Sequence, residues 1–325
     1  MALTASGREE STMAQRGSIV AAVGGAVAVG AMTAVQTRVN GSLGAALNDG
    51  VLAGAVSFGS GLVVVLAIAL VLPAGRRGIG RLLAGVRARS IPVWMLLGGA
   101  AGAFTVASQG LTVGAIGVAL FTVGFVAGQT SGGLALDRAG YGPAGVVAVT
   151  RPRLIGALLA IAGVGVCLAD GAVGSVPLWM ILIPVVAGAG VSWQQGTNGR
   201  LRVRVDSPLT ATLVNFLGGT IVLIAAAAIH IGFAGPPRAL PTDPWLYLGG
   251  TIGVVYIFLS AQIVRRTGVL LLGLGSVTGL LSTSVVLDAF WPAPAAPSTP
   301  IALLAAGTAL LGVAVATVPW RRRTR

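Results

Sequence analysis

Apolar residues fill this chain in continuous blocks of about 20, the length that carries an α-helix across a hydrocarbon core of about 30 Å. The blocks lie at 17–37, 50–72, 92–111, 115–136, 154–169, 176–196, 208–231, 244–263, 268–289 and 301–318. Within them apolar residues follow one another without the alternation of a barrel strand, and lipid forces each backbone N–H to be satisfied inside its own segment. Ten transmembrane helices are expected, joined by short polar connections too small to hold a soluble domain.

The polar breaks carry a charge pattern that gives direction. With the N-terminus inside, nineteen arginines fall in cytoplasmic segments, at 8 and 16, 76–89, 138–153, 200–204, 265–266 and 321–325, against Arg38 and Arg238 outside. Cytoplasmic loops retain basic residues, so both termini are expected in the cytoplasm. A leader at 1–16 is expected to be disordered, with Met13 as an alternative start, and 320–325 forms a basic tail.

Composition agrees with the pattern. The chain is 55% hydrophobic and 9% charged, with mean hydropathy +0.92, where a soluble domain carries roughly 25% charged residues. Net charge is +13, yet the arginines sit between spans rather than on a basic arm, which argues against nucleic acid. The basic residues are all arginine, and with the Ala and Gly richness this points to a bacterial protein. Cys167 stands alone in an apolar block, so it is read as packing, and neither a disulfide nor a cysteine metal site can be built.

The chain also repeats itself. An offset of 158 sets Gly30 to Val63 against Gly188 to Ile221 without a gap, pairing Gln36 with Gln194, Asn40 with Asn198, Phe58 with Phe216 and Gly61 with Gly219. An offset of 151 sets Trp94 to Asp137 against Trp245 to Asp288, pairing Gly98-Gly99 with Gly249-Gly250, Gly117 with Gly268, and Asp137 with Asp288. Each copy, 17–171 and 176–319, holds five predicted helices. An odd number makes the second copy enter the membrane from the opposite side, so the fold expected is all-α, integral to the membrane, in two inverted five-helix repeats.

The segments "VQTRVNGSLG…SFGSG" and "WQQGTNGRLR…NFLGG", with "WLYLGGTIGVVYIFLS" and the paired "LD" endings, resemble the YdcZ-type inner-membrane exporters of the drug/metabolite transporter superfamily. The resemblance implies a ten-helix fold of inverted repeats, a place in the bacterial cytoplasmic membrane, and movement of small molecules. It supplies no site residues.

Candidates for the site come from polar side chains within spans, which either join helices or line a polar path. Gln36 and Asn40 share a helix face, as do Gln194 and Asn198. Each Asn-Gly pair reads either as a helix C-cap, with Gly41 or Gly199 left-handed, or as lining. Gln36 and Gln194, a turn deeper, are assigned to the lining. Trp193 puts an aromatic face beside amides, which suits a flat or cationic metabolite, though an interfacial or packed Trp fits the sequence as well. Asn215, the equivalent of Ser57, has more hydrogen bonds to satisfy than a serine. Gln129 lies mid-span. The substrate-binding set expected is Gln36, Gln129, Trp193, Gln194, Asn215 and Tyr256.

Gln109, Ser260 and Gln262 complete the intramembrane list, with both glutamines near span ends and read as interfacial. His230 has no second ligand, so no metal site is expected, and no cofactor motif appears. Asp137 and Asp288 end the fourth and ninth spans and are expected to be solvated, which leaves no buried acid for proton-coupled cation export. The function expected is an alternating-access exporter of a small polar or amphipathic metabolite or drug, not an enzyme, with the bilayer and that solute as partners and a homodimer allowed. The alternatives are a membrane scaffold or receptor, and an enzyme acting on lipid.

Overall fold

A computed structural model describes the backbone of residues 3–141, 145–146, 148–169, 176–235 and 239–317, and the side chains of these outside 3–23, 234, 258, 260–274 and 317. Side chains of the polar leader, Ser260, Gln262, Arg265 and Arg266, together with Arg238 and the tail 320–325, lie outside the described residues. The helices are α1 (Leu3–Leu47), α2 (Gly50–Val71), α3 (Pro73–Arg87), α4 (Gly98–Arg138), α5 (Arg151–Leu168), α6 (Leu178–Val205), α7 (Pro208–Ala234), α8 (Gly249–Phe290) and α9 (Thr299–Thr317). Short 3-10 turns, Val93–Leu96 and Pro244–Tyr247, precede α4 and α8 and occupy equivalent positions of the repeat. Among the described residues, six apolar helical stretches are long enough to cross a membrane.

Every predicted block lies largely on a helix, but two pairs of blocks share one. The 41 residues of α4 would reach about 60 Å if straight, twice the hydrocarbon thickness. The helix is broken at Gly117, where φ is 80° and ψ 169°, a region glycine enters without a Cβ clash. Contacts along α6 give the direction of each half. Gly98, Ala101 and Gly102 lie against Asn198, Gly190 and Gln194, running opposite to α6, whereas Gly124, Gly128 and Gly132 lie against Pro184, Val185 and Ala189, running with it. The chain therefore reverses at one residue, with no polar loop to mark the turn. A buried cluster that includes Val118, Leu120, Phe121 and Val123 packs the second half against residues of α5, α6, α8 and α9.

The Asn-Gly pairs do not cap helices. Helix α1 continues past Gly41 to Leu47 and ends at Asn48 (φ 53°), and α6 continues past Gly199 to Val205 and ends at Asp206 (φ 46°). Asn48 and Asp206 are themselves equivalent at offset 158. The next residues, Asp49 and Ser207, cap α2 and α7: Asp49 Oδ1 accepts from the N–H groups of Val51 and Leu52, and Ser207 Oγ accepts from Thr210 N–H. Gly41 instead faces the Val113 side chain of α4, which needs a residue without a Cβ at that contact.

Helix α3 was not foreseen as an element. Ile79, Leu82, Leu83 and Val86 recur at helical spacing between its arginines, and Leu82 packs on the cluster of Ile91, Met95, Leu201 and Val205. Basic connections gather at that end of the bundle. Arg81 pairs with Asp206 at 2.9 Å, Arg204 donates to Ser90 O at 2.8 Å, Arg153 pairs with Asp137, and the Arg200 guanidinium lies over the rings of Trp94 and Tyr141. The opposite end holds the Asp49–His230 pair at 2.9 Å, Arg38 donating to Trp291 O at 2.9 Å, and Ala295 N–H bonded to Ala115 O.

Candidate functional site

At the centre of the bundle α2 crosses α7, with the rings of Phe58 and Phe216 5.2 Å apart between centroids. Glycines make this approach possible: a Cβ on Gly61 would meet Phe216, and one on Gly219 would meet Phe58. Gly99 lies against Asn215 and Gly219, and its equivalent Gly250 lies against Ser57 and Gly61. A second set crosses in the same manner. Gly30 meets Ser276 and Leu280 while Gly188 meets Phe125 and Gln129, and Gly128 meets Val185 while Gly279 meets Val27. Each contact thus has a counterpart under the two offsets.

Two amide groups flank the phenylalanine pair. Gly102 faces Gln194 Nε2 and Phe58 Cζ, each 3.0 Å from where its Cβ would stand; Gly253 faces Gln36 Nε2 at 2.6 Å and Phe216 Cζ at 3.7 Å. On one side Asn215 Oδ1 accepts from Gln194 Nε2 at 2.8 Å and from Asn198 Nδ2 at 3.0 Å. On the other, Ser57 is too short to replace Asn215, and the amides turn elsewhere. Gln36 Nε2 donates to Gly249 O at 2.7 Å, and Asn40 Nδ2 donates to Gln109 Oε1 at 2.7 Å. Gln109 Nε2 then donates to Thr37 Oγ1, whose hydroxyl donates to Thr33 O. That relay fixes the orientation of the Asn40 amide, and its Oδ1 is left buried without a partner.

The two sides differ in access. Gln36 is 7% exposed and Asn40 0%, whereas Gln194 and Asn198 are half-buried. Neutral amides beside an aromatic pair are groups able to offer hydrogen bonds and ring contacts to a small molecule.

Comparison with known families settles the class. The family model described as "Putative inner membrane exporter, YdcZ" matches residues 21–166 and 179–315. The chain belongs to the YdcZ family. It is a membrane transporter of the drug/metabolite type, multi-pass in the inner membrane. No curated protein matches it. A solved structure described as "Crystal structure of protein" is similar in fold, with TM-score 0.51 and 21% identity over 93% of this chain and 96% of the other.

Within this YdcZ chain the six expected site residues separate into groups. Gln36, Gln194 and Asn215 meet around the phenylalanine pair. Trp193 and Gln129 are half-buried; the backbone carbonyl of Trp193 accepts from Thr197, and that of Gln129 from Ser192 at 2.7 Å. Tyr256 packs on Ala26 and Val29 of α1. The aromatic surface beside the amides is Phe58 and Phe216, whose matched positions in the repeat were the signal for it.

Two boundary residues are not where the sequence suggested. Gln109, read as interfacial, is 4% exposed within the relay. Asp288, expected to be solvated, is 7% exposed, and its two carboxylate oxygens accept from Val118 N–H at 2.8 Å and Ala119 N–H at 2.7 Å. These amides are free because the break at Gly117 starts a new helical turn there. His230, near the end of α7, bonds Asp49 at the start of α2.

Proposed function

We propose that this YdcZ protein is a secondary, alternating-access exporter of a small polar or amphipathic metabolite or drug. In this reading ten spans form two inverted five-helix repeats, 17–171 and 176–319, with both termini cytoplasmic, and the solute binds beside Phe58 and Phe216 against Gln36, Gln194 and Asn215. Trp193, Gln129 and Tyr256 line its path further out.

The observation that carries the reading is the unequal burial of equivalent amides. Gln36 and Gln194 occupy the same place in the two copies, yet one is closed off and the other half open. A pseudo-symmetric pair in two environments is what one state of a rocking transporter presents, since exchange of the two environments gives the other state. By the arginine distribution the closed side is the outer one, so the conformation described faces the cytoplasm.

The test begins with purified protein. Thermal-shift screening against metabolites and drugs identifies a ligand, because a compound that binds only the folded state raises its melting temperature. Counterflow of that compound in proteoliposomes is then expected to be saturable and to be lost in Gln194→Leu and Gln36→Leu. Flux equal to wild type in both variants would remove the amides from the site, and absence of flux for every stabilising compound would remove the transporter reading.

A further inference from the structure

We propose that Asp288 is a proton-binding site that works as the latch of the outer face. The inference rests on the orientation assigned above for the word outer, and on nothing else in the transporter reading. Asp288 joins the end of α8 to the break in α4, two elements about 170 residues apart, through both carboxylate oxygens. Each oxygen takes one backbone N–H, so ionised Asp288 is matched as an acceptor. Gly117 completes the seat: a Cβ there would stand 2.6 Å from Asp288 Oδ2, so the carboxylate closes on the glycine itself.

Among the described residues the charged surroundings are few. Arg38 on α1 acts on Asp288 electrostatically, and its guanidinium is anchored by Trp291 O, three residues along from the carboxylate. Helix α4 offers only the two amides and Gly117 at this point. The connection 291–298 and helix α9 contain no titratable side chain. A cleft lined by Arg38, Ser42, Val113, Gly114 and Pro292 lies at the same end, on the side of Arg38.

Protonation transfers a proton from water to one carboxylate oxygen. That oxygen becomes a hydroxyl that faces an N–H donor, so one of the two bonds is lost and the attraction to Arg38 goes with it. The end of α8 is then free to leave the α4 break, and the proton returns to water when the latch closes again. Acid outside therefore releases the outer face, and neutral or basic conditions hold it shut. Asp137, equivalent to Asp288 at the other end, pairs with Arg153 and is the more exposed of the two.

The experiment measures a distance rather than flux, so it is independent of whether any solute is carried. Spin labels are placed at Leu111 and Phe290, both exposed, in full-length Cys167→Ala protein in nanodiscs, where both faces meet the same buffer. The distance distribution is read by pulsed electron resonance at pH 8 and pH 5. The expected result is a peak that moves to longer distance at pH 5 in this parent, and stands at the longer distance at both pH values after Asp288→Asn. If Asp288→Asn is not recovered folded, Gly117→Ala, which crowds the same carboxylate, is expected to give the long distance at both pH values. A parent distance unchanged by pH, or a pH shift that persists in the variant, would overturn the proposal. A latch that responds to pH without flux in proteoliposomes would leave the proposal standing and count against the exporter reading alone.

Discussion

Phe58 and Phe216 each lie against the glycine that follows the other's ring by three residues, Phe58 on Gly219 and Phe216 on Gly61. This reciprocal contact brings α2 and α7 together at the centre of the bundle. In lipid, close backbone approach of this kind replaces the hydrophobic driving force of a soluble core.

Gly61→Ala and Gly219→Ala are each expected to lower stability by about 1–3 kcal/mol, the range for forcing a methyl into a filled contact. Phe58→Leu added to Gly219→Ala should recover part of the loss, because the ring is what the methyl meets. Melting curves of the four proteins in one detergent form a double-mutant cycle. Losses that merely add would mean that ring and glycine do not touch.

Asn215→Leu removes the acceptor shared by Gln194 and Asn198. Leaving such donors unmet costs about 1–3 kcal/mol each when they are buried, and here the loss is reduced because both amides are half-buried. Ser57→Ala, the same position in the other copy, should cost less, since Gln36 and Asn40 bond elsewhere. Thermal melts of both variants decide it; an equal loss in the two would contradict the unequal hydrogen bonding.

Much of this arrangement is legible in the sequence because the chain states it twice. Gln36, Gln194 and Asn215 were identifiable as polar residues matched across a repeat, and the apolar blocks fixed which segments are helical. The departures have physical causes. The reversal at Gly117 uses one positive-φ glycine and no polar loop, so hydropathy gives two blocks where the backbone has one broken helix. Asp288 looks solvated at the end of an apolar run, and only the fold brings it to the two free amides of a helix start in the other half. Gln109 is buried because α1 packs across the end of its span. Phe58 and Phe216 lie beside the amides through the crossing of α2 and α7, a nearness in space that adjacency in sequence, which points to Trp193, does not reveal.

Asn48, at φ 53°, is expected to prefer glycine over alanine. Asn48→Ala keeps a Cβ in the left-handed region but loses the short polar side chain that makes asparagine tolerant of it, a cost of at most about 1–2 kcal/mol, whereas Asn48→Gly should be neutral or stabilising. Asp206, its equivalent at φ 46°, also pairs with Arg81. Asp206→Gly therefore gains backbone freedom and loses an exposed ion pair of little weight. Melting temperatures in the order Gly above Ala at position 48 are the expected reading, and the reverse order would show that α1 does not end there in a left-handed turn.

The placement of connections makes the last prediction. Arg81 with Asp206, and Arg204 with Ser90, bring the α2–α4 connection and the end of α6 to one end of the molecule; Asp49 with His230, and Arg38 with Trp291, define the other. The proposed five spans in each copy require this grouping, because the second copy would then begin on the face opposite the first. Single cysteines at Arg77 and Val203 should react with a membrane-impermeant thiol reagent only in inside-out vesicles, and those at Phe233 and Trp291 only in intact spheroplasts. Phe233 at 92% exposed and Val203 at 70% offer unobstructed sites. Reaction of Arg77→Cys and Val203→Cys from opposite faces would mean that a span has been miscounted between them, and the inverted relation of the two copies would fall with it.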